Sequence, residues 1–473
     1  MRRTFGKSLV NSPIVKKHLS TNLKLLCNSQ NDVISEKSKS TTSKSLIQAT
    51  PDLNSLLNPS SRTKVTENLV DRLFAKDLVE ATSMISELVR HKNDTLSSPS
   101  KESRNKLIQC ALKFPNFSHP SIVELKEPKI LYDNTQKFHL RDGGTKVRSF
   151  DELSRIFRGA RTSDTGQTNS EKSYFLFGAF AELEQALIRY TLQHLVEKCG
   201  FSLVSVPDIL NPQIIEACGM NTTGKITNVF KLDSRFYSEK ALSGTSEMAF
   251  GALFRNKKID FNEQKIHKYA AVSRCYRAES AMGRKERGLY RVHYFTKVEM
   301  FCLTAPDKGI SDLAHEQILS IQQRLFDDLE LYYRVLDMHP GDLGAPAARK
   351  FDCEALMPGF LSDQGPFYGE ISSTSNCTDY QSRRLNIRDT SGHFCHTVNG
   401  TACAIPRMIM ALCEQHQLPS GGVYMPKKLA ELLPSMKYRD ERDNFLAPKP
   451  KGQRPDFVYL KNPNAFSKKT KRK

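Results

Sequence analysis

Apolar positions recur at approximate helical spacing through Leu69, Leu73, Leu78, Ile85 and Leu88, until the polar run TLSSP at 95–99 breaks the stripe. Ser98 followed by Pro99 predicts the start of a second helix, which reaches about Lys113 before Pro115 stops it. Together these segments predict a short helical hairpin, whose second arm is only about 20 Å long at the α-helical rise. Leu176, Phe180, Leu183, Leu187 and Leu195 mark a longer helix over Tyr174–Cys199, ending at Gly200. FSLVSVP (201–207), YAAVSRCYR (269–277) and RVHYFTKVEMFCLT (291–304) then alternate or run apolar as strands do. His315–Leu336 reads as helix, and Pro406–Gln417 as another with proline in its first turn. Strands of uneven length among helices, without regular βαβ intervals, imply an α+β domain built around an antiparallel sheet. No internal repeat is visible.

Composition narrows the class. The 473 residues are 39% hydrophobic and 26% charged, which suits a globular chain with a sizeable core. No run approaches the roughly 18 apolar residues of a membrane-spanning helix, so no membrane partner is expected. The net charge of +19 suggests nucleic acid, but most of it sits in the tails. Residues 1–31 carry Arg2, Arg3, Lys7, Lys16, Lys17 and Lys24 with no acid. With Ser8, Ser12, Ser20 and Ser29, this is the composition of a mitochondrial transit peptide, the alternative being a basic disordered arm. Residues 32–60, with SEKSKSTTSKS at 35–45, read as polar linker. The segment 446–473 is again basic, and binding phosphate is one use for it, a solubilising tail the other. The 11 cysteines are scattered without C-x-x-C pairs or close Cys/His ligand spacing, which argues against a disulfide framework or zinc finger and for buried thiols in a reducing compartment.

Two segments are candidates for phosphate chemistry. GMNTTGKI (219–226) nearly spells a P-loop, yet Ile226 replaces the hydroxyl that would hold magnesium, and NPQIIEAC before it reads as helix rather than strand. The segment is therefore read as a polar loop. CYRAESAMGRKERGLYRVHYFTKVEMF (275–301) is different: strand alternation puts Arg277 with Glu279, Arg291 with His293 and Phe295, and Lys297 with Glu299 on common faces. So many charges on a β-hairpin either form a solvated surface or surround a charged ligand, because burying them unpaired is prohibitive.

The second segment resembles motif 2 of the class II aminoacyl-tRNA synthetases, in the form used by seryl-tRNA synthetases. Further stretches resemble that family in order. GFSLVSVP with Pro207 is similar to motif 1, ALSGTSEM (241–248) to the serine loop, EISSTSNCTDYQSRR (370–384) to the magnesium and ATP segment, and HTVNGTACAIPRMIMALCE (396–414) to motif 3. The resemblance runs from about residue 170 to 430. It implies a class II antiparallel sheet flanked by helices, a catalytic domain over 141–445, and a tRNA-binding helical arm over 61–140.

It also implies roles. Arg277 would bridge the serine carboxylate and the α-phosphate, and the catalytic set would be Arg277, Glu299 and Arg407. Phe295 and Arg407 would sandwich the adenine, and Arg291 and Arg407 would reach the outer phosphates. Ala278, Glu279, Ile371 and Ser372 would complete the ATP site, with Glu370 and Ser373 holding Mg2+. Glu299 and Thr401 would take the serine hydroxyl, Thr245 and Glu247 would surround its ammonium group, and Ser246 and Asn399 would complete that pocket. A homodimer through the region around Pro207 is implied, as are serine, ATP and serine tRNA as partners.

The sequence departs from the family pattern at Tyr294, where Gln is usual, at Thr374, where Cys or Ala is usual, and at Leu356, where Trp is common. The helical arm is much shorter than the long coiled coil of bacterial-type members. GLYRVHYFTKVEMF (288–301) and KFDCEALMPG (350–359) resemble the mitochondrial branch, whose metazoan serine tRNAs lack a long variable arm, and the shortened arm and basic N-terminus point the same way. The expected setting is then the mitochondrial matrix, with mitochondrial tRNA(Ser) as partner. The other reading is a non-catalytic mitochondrial paralogue that binds tRNA and proteins. Retention of Arg277, Glu279, Glu299, Glu370 and Arg407 together favours catalysis, because buried charges without a ligand cost stability.

Overall fold

The structure, a computed structural model, describes residues 49–140, 147–162, 172–223, 227–237, 239–279, 288–362, 365–418, 422–433, 437–439 and 457–460. The chain divides into Met1–Leu46 and Ile47–Lys473, and every described residue belongs to the second unit. The expected transit peptide and most of the basic tail lie outside the described residues.

Helix begins inside the stretch read as linker: Asp52 caps Leu53–Leu57, and Leu56 is buried. Helices α1 (Arg62–Asp71), α2 (Leu78–Ser97) and α3 (Lys101–Ala111) follow. The stripe from Leu69 to Leu88 is therefore split between helices. Leu73 takes a left-handed backbone with φ 60°, and the Asp77 side chain caps the restart by accepting from Glu80 N at 2.9 Å. The second expected helix starts later than its Ser-Pro signal. Ser100, not Ser98, is the cap, in a reciprocal box with Ser103. Leu69, Ile85, Leu88, Leu107 and Cys110 form the core of this small helical unit.

The helix expected from Tyr174 starts at Ala179 because Phe175–Leu176 pairs with Ala160–Arg161 and Gly178 turns the chain at φ 51°. After α4 (Phe150–Phe157), α5 spans Ala179–Gln193, continues as a π-helical turn over His194–Lys198 and stops before Gly200, which has φ 71°. Helix α6 covers Ser246–Phe254 and α7 covers Lys308–Asp328. His315–Leu336 is thus not one helix. The chain leaves α7, turns at Glu330 with φ 52°, and Tyr333–Asp337 is a strand with Tyr333 and Val335 buried. Helices α8 (Tyr380–Leu385) and α9 (Ile405–Gln415) complete the set that frames the site, with Pro406 in the first turn of α9.

The main sheet contains β1 (Lys129–Asp133), β2 (Ser202–Leu203), β3 (Ile266–Tyr276), β4 (Tyr294–Thr304), β5 (Tyr333–Asp337), β6 (Arg349–Ser362), β7 (Gly365–Thr378) and β8 (His396–Ala404). Its order is β1-β5-β6-β7-β8-β4-β3-β2, antiparallel throughout except where the short edge strand β2 runs parallel to β3. Only Ser202–Leu203 of the FSLVSVP segment is strand. One sheet face carries Val298, Met300, Val398 and Ala402 into the core against Leu183 and Leu187 of α5, Ile318 and Phe326 of α7, and Met408 and Ile409 of α9. By pleat alternation the opposite face carries Phe295, Lys297, Glu299, Asn399 and Thr401. Arg72 ties the helical unit to this domain, donating to Ala347 O at 2.8 Å and also to the Gly344 and Ala345 carbonyls.

Candidate active site

An open cleft lies on the sheet face opposite α5 and α7, the face on which α6 packs by stacking Phe250 on Phe301. Of the residues expected to bind ATP, Arg277, Glu279, Arg291, Phe295, Glu370 and Arg407 line it, together with Ile371, Ser372 and Ser373. Thr401 lines it too, the one member of the expected serine set besides Arg277 to do so. Ala278 does not, but its N–H donates to Asn228 O at 2.9 Å and so pins the backbone beside Arg277. The charged hairpin is therefore a concave site and not a solvated surface. His293 departs from the expectation: its Nε2 lies 3.2 Å from Glu279 O and its ring meets Phe230 edge-on.

Strand β3 ends at Tyr276, but Arg277 N still donates to His293 O at 2.9 Å, which carries the guanidinium over Phe295 at 5.5 Å from the ring centroid. Arg277 Nε is buried and makes no hydrogen bond among the described residues. An orphaned guanidinium donor in a cleft is suited to an anionic ligand. Nearby, Arg291 Nη1 pairs with Glu279 Oε2 at 3.3 Å.

Opposite, proline in the first turn of α9 sets the backbone of Arg407. Its Nη1 donates to Glu370 O at 2.6 Å and pairs with Glu370 Oε2 at 3.4 Å, while Nε donates to Tyr290 O at 3.1 Å. The guanidinium also stacks 4.4 Å from the Tyr290 centroid. Burial would raise the Glu370 carboxyl, but Arg407, Lys350 and Arg277 outweigh it and hold it below its ordinary value.

Deeper in the sheet, cross-strand register sets Thr401 against Glu299, and Thr401 Oγ1 donates to Glu299 Oε2 at 3.3 Å. Lys297, on the same strand face, puts Nζ 2.5 Å from Glu299 Oε2 and 2.8 Å from Thr245 Oγ1. Glu299 is 1% exposed and Lys297 6%, so this is a desolvated ion pair at the cleft floor. Thr245 caps α6, whose first turn carries Ser246 and Glu247. Gln381 of α8 donates to Glu247 Oε1 and accepts from Thr397. Burial, with Glu299 as a like-charged neighbour, pushes Glu247 up to about 7. Asn399 is half-buried on β8, its Oδ1 4.0 Å from Cys377 Sγ, and does not line the cleft. Thr245, Ser246, Glu247, Glu299 and Asn399 thus stand behind the cleft lining.

Three participants are not legible in the sequence as site residues. Lys297 is visible there only as one charge in an alternating pattern, and its partnership with Thr245 spans 52 positions. Tyr290 and Gln381 carry no signal in a single chain, because their partners are supplied by folding.

The donor set near Glu370 fits a hard divalent cation. Ser373 pairs in register with Asp352, and Glu370 with Glu354, on adjoining strands. Among the described residues, Asp352 Oδ1 is buried without a hydrogen-bond partner although Lys350 Nζ approaches Oδ2 at 3.0 Å. Burial and the Glu370 charge push the Asp352 carboxyl up, against the opposing pull of Lys350.

Residues 230–416 match the tRNA synthetase class II core domain (G, H, P, S and T). The chain is 37% identical over 406 residues to the serine–tRNA ligase of Borrelia garinii, covering 82% of this chain and 89% of the relative. This chain belongs to the serine–tRNA ligase family. It is also 37% identical over 359 residues to the mitochondrial serine–tRNA ligase of Mus musculus, covering 73% of this chain and 66% of that relative, just under two thirds of its length. Among solved structures it is similar to the Pyrococcus horikoshii seryl-tRNA synthetase complexed with ATP, with TM-score 0.69 and 26% identity over 81% of this chain and 98% of the other.

The departures from the serine–tRNA ligase pattern lie outside the cleft lining. Tyr294 stacks on Tyr174 with centroids 5.4 Å apart and donates to its carbonyl at 3.1 Å. Thr374 Oγ1 donates to Asn399 O at 2.8 Å, and Leu356 is buried. Each replacement is accommodated locally and leaves the cleft's charges in place.

Proposed function

We propose that this chain is an ATP-dependent serine–tRNA ligase acting on mitochondrial tRNA(Ser) in the matrix. The observation that carries this is the convergence of Arg277, Arg291, Glu370 and Arg407 on one cleft, above a floor of Lys297 and Thr401 behind which Glu299 pairs with Lys297. A serine carboxylate oxygen attacks the α-phosphorus of ATP, the bond to the β-phosphate oxygen breaks, and pyrophosphate leaves. Arg277 contacts carboxylate and α-phosphate together, so it aligns the reactants and neutralises charge that grows in the transition state. Adenine lies between the Phe295 ring and the Arg407 guanidinium. Arg291 and Arg407 meet the outer phosphates. Glu370 and Ser373 would hold Mg2+, which supplies charge neutralisation on the phosphate oxygens. The adenylate then acylates a terminal ribose hydroxyl of the tRNA, releasing AMP.

Serine is distinguished from alanine by polar groups that remain unpaired when no hydroxyl is present. Glu299 and Thr401 fill that role, with Thr245, Ser246, Glu247 and Asn399 shaping the surroundings of the ammonium group. Lys297 positions Glu299 by its short ion pair. A homodimer through the region around Pro207 is part of this reading, which the exposed Leu203 and Ile209 support as apolar surface on either side of it.

Serine-dependent ATP–pyrophosphate exchange tests the proposal. The purified chain should exchange label with serine and not with alanine, and Arg277→Ala should lower exchange by about a hundredfold or more. A folded chain that binds serine tRNA without exchange would instead be the non-catalytic paralogue.

A further inference from the structure

The helical unit contains a convergence of ligands that the catalytic reading does not use. Glu87 and His91 lie one turn apart on α2, and Cys110 faces them from α3. One ligand atom from each of the three lies within 4.8 Å of the other two. His91 Nε2 is 3.7 Å from Glu87 Oε1, a separation close to the edge of a tetrahedron around an ion with bonds of about 2.1 Å. The other ring nitrogen, Nδ1, has a second carboxylate on its side, Asp94 Oδ2 at 3.8 Å. Cys110 is 4% exposed, while the His91 and Glu87 side chains are 17% and 43% exposed. The thiol is thus held in the core and the cluster opens to water on one side, leaving access and a fourth position.

We propose that Glu87, His91 and Cys110 form a binding site for a borderline-soft divalent cation, of which zinc is the natural occupant, joining α2 to α3. A mixed S, N and O donor set selects such an ion over magnesium or calcium. Binding exchanges the Cys110 S–H for a sulfur–metal bond and releases that proton to solvent. The ion fastens the two longest helices of a unit whose core is small, and so stiffens it.

Cobalt substitution of the full chain tests this. Titration with Co2+ should give one equivalent with sulfur-to-cobalt charge-transfer absorption and the visible bands of four-coordination, displaced by Zn2+. Cys110→Ser should abolish the charge-transfer band, and His91→Ala and Glu87→Gln should each weaken binding about tenfold or more. His91 and Glu87 are partly exposed, so these variants keep the test alive if Cys110→Ser fails to fold. Serine-dependent pyrophosphate exchange should be unchanged in His91→Ala, which separates this site from the proposed catalytic one. Absence of a stoichiometric cobalt spectrum, or a spectrum unaltered by His91→Ala and Glu87→Gln, overturns the assignment.

Discussion

Glu299 illustrates how a residue's role depends on what burial leaves it. It accepts from Thr401 and pairs with Lys297, and both interactions lie in a desolvated floor. Removing it strands the Lys297 charge, a loss of the kind that costs about 3–5 kcal/mol in buried pairs. Glu299→Ala should therefore raise the serine KM in pyrophosphate exchange far more than the ATP KM, and should lower Tm. Equal effects on the two substrates would place Glu299 outside serine recognition. Strand alternation in the sequence already sets Lys297 and Glu299 on one face. It does not show that Thr245, from the cap of α6, reaches the Lys297 amine.

At the scale of elements, α9 does double duty. Its first turn aims Arg407 into the cleft, and near its end Glu414 accepts from Phe150 N at 2.8 Å and Gly359 N at 2.9 Å. It thereby fastens α4 and β6 to the same helix. Burial raises the Glu414 carboxyl from 4.5 to about 7, despite those two hydrogen bonds. Because the folded value lies above the unfolded one, this group's stabilisation is complete below pH 4.5 and is lost as pH rises through about 7. Glu414→Gln should flatten the pH dependence of stability across that window, by about 3 kcal/mol at most, as read from urea midpoints at several pH values. Gly400 belongs to the same level: a Cβ there would sit 2.6 Å from Ile318 Cγ2, where α7 packs on β8. Gly400→Ala should cost about 1–3 kcal/mol by overpacking, visible as a lower urea midpoint. The Pro406 signal locates α9 correctly from sequence. The helix expected over His315–Leu336 fails because an apolar stripe does not distinguish the end of α7 from the buried strand β5 that follows Glu330.

Across the whole molecule, the small helical unit and the sheet domain meet through buried Arg72 and Arg384, each donating to backbone carbonyls of the other part. Beyond them, residues 461–473 carry Lys461, Lys468, Lys469, Lys471, Arg472 and Lys473 with no acid, outside the described residues. Deleting 461–473 should leave serine-dependent pyrophosphate exchange intact while weakening tRNA binding and reducing its salt dependence, by roughly 0.7–0.9 in log–log slope for each phosphate that the tail neutralises. Unchanged salt dependence would assign the tail to solubility alone. Chain order and residue type sufficed for the α+β class, because pleat alternation and proline-led helices are local properties, while the arginines and carboxylates of the cleft were implied by the resemblance of the ordered motifs to the family. Only folding decided which of these charges share a volume. The pairing of Lys297 with Thr245, the seat of Arg407 on Tyr290, the support of Glu247 by Gln381 and the meeting of His91 with Cys110 all join distant positions. Such pairings follow from sheet register and helix packing, which no local periodicity encodes.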